Sequence, residues 1–99
     1  MDKIYSFLGI CQKAGKVVSG ETGCELAIKN KTAKLVLLAE DASANTKKKF
    51  ENSAKYYEIP ILTLGSKQEM GIAIGKESRA VLAITEQGFA KSILDKMKW

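Results

Sequence analysis

Two short, uninterrupted apolar segments constrain the fold of this chain more than any other feature. They occupy residues 35–39 and 80–84, with the sequences LVLLA and AVLAI. Neither segment alternates apolar with polar residues, so each predicts a central strand that is covered on both faces. Both are far shorter than the roughly 20 apolar residues that a membrane span requires. We therefore expect a buried sheet with helices on both sides and no membrane segment.

Helical patterns alternate with these strand patterns along the chain. Apolar residues recur at three- and four-residue spacing in five segments, and two further short strands are predicted at residues 16–18 and 61–64. Ser19, Ser43 and Ser66 are predicted to cap the second, third and fourth helices, and Ser66 forms a capping-box pattern with Glu69. The alternation predicts an α/β sandwich. A chain of 99 residues has room for a single domain, spanning residues 1–99.

The composition excludes several classes of enzyme and metal site. The chain has no histidine, which removes Ser-His and Cys-His nucleophile pairs and histidine-based metal sites. Cys11 and Cys24 lack metal-ligand spacing, and we expect each to be a small buried residue rather than a reactive thiol or half of a disulfide. No signal-peptide pattern follows Met1, so we expect a cytoplasmic protein without metal or cofactor. A net charge of +5 is compatible with nucleic-acid binding.

Three junctions between loops and helices are the candidate functional segments: residues 19–23, 39–43 and 75–79. The first combines two glycines with a helix start, and Lys16 lies just upstream. Bare amides at such a position suit phosphate, although an ordinary glycine-bearing helix start is an equal alternative. In the third, Gly75 frees the backbone beside Lys76 and Arg79, which indicates either a binding loop or a plain connection.

Two charged groups have simple structural explanations. Glu40 and Asp41, in the second junction, are better explained as caps of the following helix than as a catalytic pair, because neighbours on an extended chain point apart. Lysines 47–49 lie early in the third helix, where they favour a solvated face over an anionic partner. Aromatic residues are sparse, and neither Tyr56 nor Tyr57 indicates a stacking platform for unpaired bases.

Several segments resemble one family of RNA-binding proteins. Residues 20–28 (GETGCELAI) and 33–42 (AKLVLLAEDA), with residues 66–68 and 70–75, are similar to signatures of the ribosomal protein L7Ae/L30e family of kink-turn RNA-binding proteins. Residues 14–20 and 84–90 are most similar to its bacterial YlxQ-like branch. The resemblance covers nearly the whole chain. It implies a three-layer α/β/α sandwich with a four-stranded mixed sheet, no catalysis, and binding to a sharply bent RNA helix with tandem G·A pairs.

The resemblance also implies site residues. In an ungapped match, the family's base-reading Asn falls on Thr22, its acidic or amide reader on Gly23 and its lysine on Leu26; Glu21 is the alternative reader if the helix start shifts. Backbone amides of residues 20–23 are expected to face the G·A region, and four cations the phosphates. The full set of predicted RNA-binding residues is Lys16, Ser19, Gly20, Glu21, Thr22, Gly23, Lys67, Lys76, Glu77, Ser78 and Arg79.

The leading hypothesis is therefore a monomeric, non-catalytic, ribosome-associated protein that binds bent RNA by shape and backbone contacts. The alternative is a protein-interaction subunit that has kept the fold but lost specific recognition of RNA. Gly23 and Leu26 are consistent with this alternative, because they lack the polar side chains of the family pattern. An enzyme ranks third, because a chain without histidine offers no obvious general base near neutral pH.

Overall fold

The computed structural model describes residues 2–97, in which helices and strands alternate. The helices are α1 (Asp2–Lys13), α2 (Glu21–Lys29), α3 (Ala44–Tyr56), α4 (Lys67–Ala73) and α5 (Gln87–Lys96). The strands are β1 (Val17–Ser19), β2 (Leu35–Leu38), β3 (Ile61–Thr63) and β4 (Val81–Ile84). No helix in this part of the chain is both long and apolar enough to cross a membrane.

The four strands form one mixed sheet in the order β1-β4-β2-β3. Strand β4 pairs antiparallel with both β1 and β2, whereas β2 pairs parallel with β3. Every residue of β2 and of β4 is buried. The two uninterrupted apolar segments are therefore the two central strands, as predicted.

Helices cover both faces of this sheet and create two cores. Leu35 and Leu37 of β2 point into a core with side chains from α1, α4 and α5. Val36 and Leu38 point the other way, into a core with side chains from α2 and α3. The alternation of side chains along a strand divides the apolar residues between the two layers. The predicted three-layer α/β/α sandwich with a four-stranded mixed sheet is confirmed.

The predicted helix caps are confirmed at two positions and wrong at one. Ser43 Oγ accepts a hydrogen bond from Thr46 N, and Ser66 forms the complete capping box with Glu69. Ser19 does not cap α2, because its backbone pairs with Leu82 as the last residue of β1. The helix begins one residue later, after a glycine with φ +87° and ψ 161°, a backbone conformation that is essentially restricted to glycine.

Both cysteines are free and buried, as predicted. Burial raises the pKa of the Cys24 thiol to about 12, and burial is also the main cause of the raised pKa of Cys11. The Cys24 thiol donates to the carbonyl of Val18 at 3.4 Å. Since the thiolate is the reactive form of cysteine, both side chains serve packing rather than chemistry.

Candidate nucleic-acid interface

The three candidate junctions meet at one edge of the sheet. Strands β2 and β3 end there and β4 begins there. Gly20 N donates to the carbonyl of Val81 at 3.1 Å, and Ala39 N donates to the carbonyl of Ala80 at 2.9 Å. These bonds place the start of β4 between the first and second junctions. We call residues 19–23, 39–43 and 75–80 together the junction surface.

Helix α4 holds the loop of residues 75–80 in place. Lys76 N donates to the carbonyl of Gly71 at 2.9 Å. A side chain at position 71 would collide with the loop backbone, since a Cβ there would lie 2.6 Å from the carbonyl carbon of Glu77 and 2.9 Å from Ser78 Cα. Gly75 starts the loop with φ +73°, a left-handed value that favours glycine. The path of the loop therefore depends on two glycines.

The guanidinium of Arg79 joins the third junction to the first. Its Nε donates to Ser19 Oγ at 3.3 Å, and its Nη1 donates to the carbonyls of Glu77 at 3.2 Å and Ser78 at 3.0 Å. Arg79 is half-buried. Arg79 is therefore more than an edge residue before β4. Two nitrogens of its planar guanidinium hold the loop against Ser19 at the end of β1 and are not free to bind a phosphate.

The start of α2 presents bare backbone amides. Its first intrahelical hydrogen bond runs from Cys24 N to the carbonyl of Gly20 at 3.1 Å, so the amides of residues 21–23 have no intrahelical acceptor. Within residues 2–97 no side chain caps α2, whereas side chains cap α3, α4 and α5. Such a terminus carries partial positive charge and attracts anions and hydrogen-bond acceptors.

Side chains of α3 anchor this same helix start. Thr46 Oγ1 donates to Glu21 Oε2 at 3.1 Å. Lys49 Nζ lies 2.7 Å from Glu25 Oε1 and 3.6 Å from Glu21 Oε1, and the hydrogen bond to Glu25 is the main cause of its raised pKa. Lys49 is exposed, as expected for a solvated face, and it also pairs with carboxylates of α2. The carboxylate of Glu21 is directed toward α3 and not along the outer face of α2.

The outer face of α2 presents Thr22 and Leu26, which are one turn apart and share a face. Thr22 is exposed, and Leu26 is 60% exposed. Position 23 faces the sheet instead, since a Cβ on Gly23 would lie 2.8 Å from Val18 Cγ1. Of the three positions that the resemblance matched to readers, only Thr22 offers an exposed polar side chain.

In the second junction, Asp41 bonds to the start of α4 and not to α3. Asp41 Oδ1 accepts from Lys67 N at 2.8 Å, while Ser43 caps α3. The prediction that Asp41 caps α3, the next helix in the chain, is therefore wrong, because Asp41 bonds to the first residue of α4. The parallel pairing of β2 with β3 is the reason, because it places the end of β2 beside the start of α4; Glu40 N also donates to the carbonyl of Gly65 at 2.6 Å.

Lys16 lies away from the junction surface. Lys16 immediately precedes β1, and Thr85 N, just after the end of β4, donates to its carbonyl at 2.9 Å. The nearby Glu86 has a lowered pKa, first because its carboxylate accepts from Phe89 N and Gly88 N, and also because of the charge of Lys16. The structure brings together Ser19, residues 20–23, Lys67, Lys76, Glu77, Ser78 and Arg79, and it separates Lys16 from them.

The sequence interpretation missed the residues that support this surface. In the sequence Gly71 is recognisable only as part of a family signature, and no pattern predicts the contacts of Thr46, Glu25 and Lys49. The spacing of these residues contains no signal for such contacts, because Thr46 and Glu21 are 25 positions apart. A glycine inside a short amphipathic helix was the one available indication of a close backbone approach.

Comparisons with known proteins agree with this architecture. A family model described as “Ribosomal protein L7Ae/L30e/S12e/Gadd45 family” matches residues 2–94. The chain is 47% identical over 90 residues to a protein named RNA-binding protein YlxQ from Bacillus subtilis (strain 168), covering 91% of this chain and 90% of that one.

Two solved structures share the fold. A protein with unknown function from Bacillus halodurans superposes with a TM-score of 0.91 at 34% identity, covering 94% of each chain. A 15.5kD RNA binding protein of Giardia lamblia superposes with a TM-score of 0.82 over 93% of this chain and 82% of that one. The second pair shares 18% identity, so that likeness concerns the fold alone.

Proposed function

Because the chain belongs to the ribosomal protein L7Ae/L30e/S12e/Gadd45 family, we propose that it is a non-catalytic protein that binds kink-turn or similarly bent RNA through the junction surface. One observation carries the proposal: an uncapped helix start and a loop held by α4 lie side by side at one edge of the sheet. The name of the Bacillus subtilis relative supports RNA as the ligand. We further propose association with the ribosome, as a monomer in the cytoplasm.

The proposed contacts divide between α2 and the loop. Amides of residues 21–23 donate to acceptors in the G·A region, where the partial positive charge of the helix start also favours approach of the RNA. The hydroxyl of Thr22 both donates and accepts at a base edge. Glu77 and Ser78 meet bases that project from the bend, and the exposed ammonium groups of Lys67 and Lys76 meet phosphates.

Recognition by shape is expected to outweigh recognition by sequence. Position 23 faces β1 and Leu26 carries no polar atom, so α2 offers one exposed polar side chain where the family pattern has three readers. A protein with few base contacts still selects a bent helix, because backbone and helix-end contacts fit only one path of the RNA backbone. Arg79 acts mainly by holding the loop against β1 in this arrangement.

An electrophoretic mobility shift at physiological salt tests the proposal. The two probes are a kink-turn RNA and the same RNA with its G·A pairs replaced by Watson-Crick pairs. We expect the kink-turn to bind more tightly. Equal binding of both probes would remove kink-turn specificity, and no binding of either would remove RNA as the ligand.

Two variants localise the binding. Lys76→Gln is expected to weaken binding of both probes and to reduce the slope of log affinity against log salt by about 1, since it removes one phosphate contact. Lys91→Gln, which removes an equal charge from the exposed side of α5, is the control and should change neither property. Thr22→Val should reduce the preference for the kink-turn probe. Equal effects of Lys76→Gln and Lys91→Gln would place the RNA elsewhere.

The exposed apolar side chain of Leu26 favours a second candidate function, a protein-interaction subunit. Leu26 is 60% exposed on the outer face of α2. A large apolar side chain there, where the family pattern has a lysine, suits contact with a protein better than contact with phosphate. A complex that survives nuclease treatment and is lost in Leu26→Lys would support this function, and a complex abolished by nuclease would refute it.

A further inference from the structure

A cleft lies at the end of the sheet opposite the junction surface. It has a volume of about 310 Å³, and its lining includes Lys31, Lys34, Tyr57, Glu58 and Pro60. Lys34 immediately precedes β2, and the cleft is therefore separated from the end of that strand by roughly 15 Å at about 3.3 Å per residue. Its volume is within the range of about 300–1,000 Å³ that is typical of small-molecule sites.

Exposed aromatic surface adjoins this cleft. Tyr56 is 79% exposed, the largest exposure among the exposed large apolar and aromatic side chains of the described residues. Its ring lies 4.9 Å from that of Tyr57 with an interplanar angle of 77°. A second depression of about 420 Å³ is lined by Lys31, Tyr56, Tyr57 and Glu58, so the two hollows share three residues. The sequence does not indicate a stacking platform at these tyrosines, but an exposed tyrosine ring braced by a second ring is a surface on which a nucleobase can stack.

The charge around the two hollows is positive. Lys31 and Lys34 contribute two cations, and Glu58 is the one carboxylate in the described lining of either hollow. Lys34 Nζ donates to the carbonyl of Lys31 at 3.4 Å, which holds the Lys34 ammonium beside the backbone of residue 31. A ligand that suits this surface has a planar ring to stack on Tyr56 and an anionic group to pair with the lysines.

We propose that these two adjoining hollows together bind an unpaired nucleotide segment of RNA, with a base stacked on Tyr56 in the second hollow and phosphates paired with Lys31 and Lys34 in the first. Stacking combined with a cationic groove is the common solution for single-stranded nucleic acid. The lysines pair with phosphates, and the tyrosine ring can stack on any base because every base has a π-face. The inference goes beyond the proposed function, since it concerns the other end of the molecule and does not require a kink-turn.

Fluorescence anisotropy of a labelled adenylate hexamer tests the inference on the whole chain. Base stacking on an aromatic side chain contributes about 1–3 kcal/mol by alanine substitution, so Tyr56→Ala is expected to weaken binding by roughly 5- to 150-fold. Tyr56→Phe keeps the ring and should bind as the unaltered protein does. Lys34→Gln should weaken binding and lower the salt slope by about 0.7, the value for one phosphate of a single strand.

The control is Lys48→Gln, which removes an exposed lysine from the same helix as Tyr56, at a distance of about 12 Å along its axis. It should leave hexamer binding unchanged. The inference would be overturned if Tyr56→Ala bound the hexamer as tightly as the original protein does. It would also be overturned if the original protein did not bind the hexamer at low salt. Equally tight competition by adenosine monophosphate, which would indicate a free nucleotide, or by an acidic peptide would overturn it as well.

The kink-turn probe separates the two proposals. Tyr56→Ala should bind the kink-turn RNA as the unaltered protein does, while Lys76→Gln should bind the hexamer normally. Loss of hexamer binding with retained kink-turn binding supports a separate site at the cleft. Parallel loss of both ligands in Tyr56→Ala would show that the cleft is not a separate site.

Discussion

Replacement of Gly71 by alanine tests whether α4 sets the shape of the loop in the junction surface. The added Cβ would overlap the carbonyl oxygen of Glu77 and would lie 2.6 Å from its carbonyl carbon and 2.9 Å from Ser78 Cα. Carbon atoms in favourable contact are about 3.5–4.0 Å apart. The loop backbone or the helix must therefore move by roughly 1 Å to restore contact distances of this order.

The expected loss of stability is the difference between two opposing effects. Overpacking of a tight site costs about 1–3 kcal/mol. Alanine in place of glycine in a helix recovers up to about 1 kcal/mol. We expect a net destabilisation of about 1–2 kcal/mol, which lowers the Tm of a domain of this size by roughly 5–15 °C. The displaced loop should also weaken binding of kink-turn RNA, since Glu77 and Ser78 would leave their positions.

Thermal unfolding followed by circular dichroism measures the first effect, and the mobility shift measures the second. Gly88→Ala is the matched control, because Gly88 is also in a helix and the atoms nearest to its added Cβ belong to the carboxylate of Glu86, at 3.1 and 3.3 Å. A carboxylate can adjust where a backbone cannot, so Gly88→Ala should cost clearly less than Gly71→Ala, although Glu86 also caps α5. A Gly71→Ala protein that unfolds at an unchanged or higher temperature and binds RNA normally would refute the reasoning.

Three further predictions concern local contacts. Ser43→Ala removes the cap of α3 and should lower the free energy of unfolding by about 0.5–2 kcal/mol in urea titration; Ser43→Asp should retain most of it, and equal losses in both variants would argue against the cap. The carboxylate of Glu86 has a lowered pKa in the folded chain because it accepts backbone hydrogen bonds, so the unfolded chain takes up the proton first as the solution is acidified. The contribution of Glu86 to the free energy of unfolding should be present above the ordinary pKa of 4.5 and lost as the pH falls through the lower pKa of the folded chain. Glu86→Gln should abolish this part of the acid dependence. An unchanged dependence of stability on pH in this variant would contradict the prediction. The Cys24 thiol, with a pKa of about 12, should resist a disulfide reagent at pH 8 until denaturant is added, and a rapid reaction in the folded protein at Cys24, identified with Cys11→Ser, would contradict its burial.

Much of the fold follows from local sequence patterns. The unbroken apolar character of residues 35–39 and 80–84 predicts central strands, because a strand buried on both faces has no polar side to alternate with. Ser43 and the Ser66–Glu69 pair cap their helices through contacts within three residues. The resemblance to the L7Ae/L30e family, carried by short signatures in the right order, is confirmed by the family match over residues 2–94.

Other predictions failed where a partner distant in sequence decided the outcome. Ser19 was expected to cap α2, yet pairing with β4 keeps it in β1 and gives its hydroxyl to Arg79, 60 positions away. Lys49 is exposed as expected, but its ion pair with Glu25, which joins α3 to α2, has no signal in the local sequence. Lys16 is close to Gly20 in sequence, but an extended strand of three residues carries it to the other end of the sheet.

The sequence by itself determined which segments are helices and strands, which strands are buried, and where two of the helices are capped. These properties depend on periodicity and on contacts within about four residues, so they can be read along the chain. Only the tertiary structure decided that the three junctions share one edge, that Gly71 supports their loop, and that Tyr56 and Lys34 line two hollows with shared residues. The reason is that strand order and direction are set by burial of the whole sheet, which joins residues from distant parts of the chain.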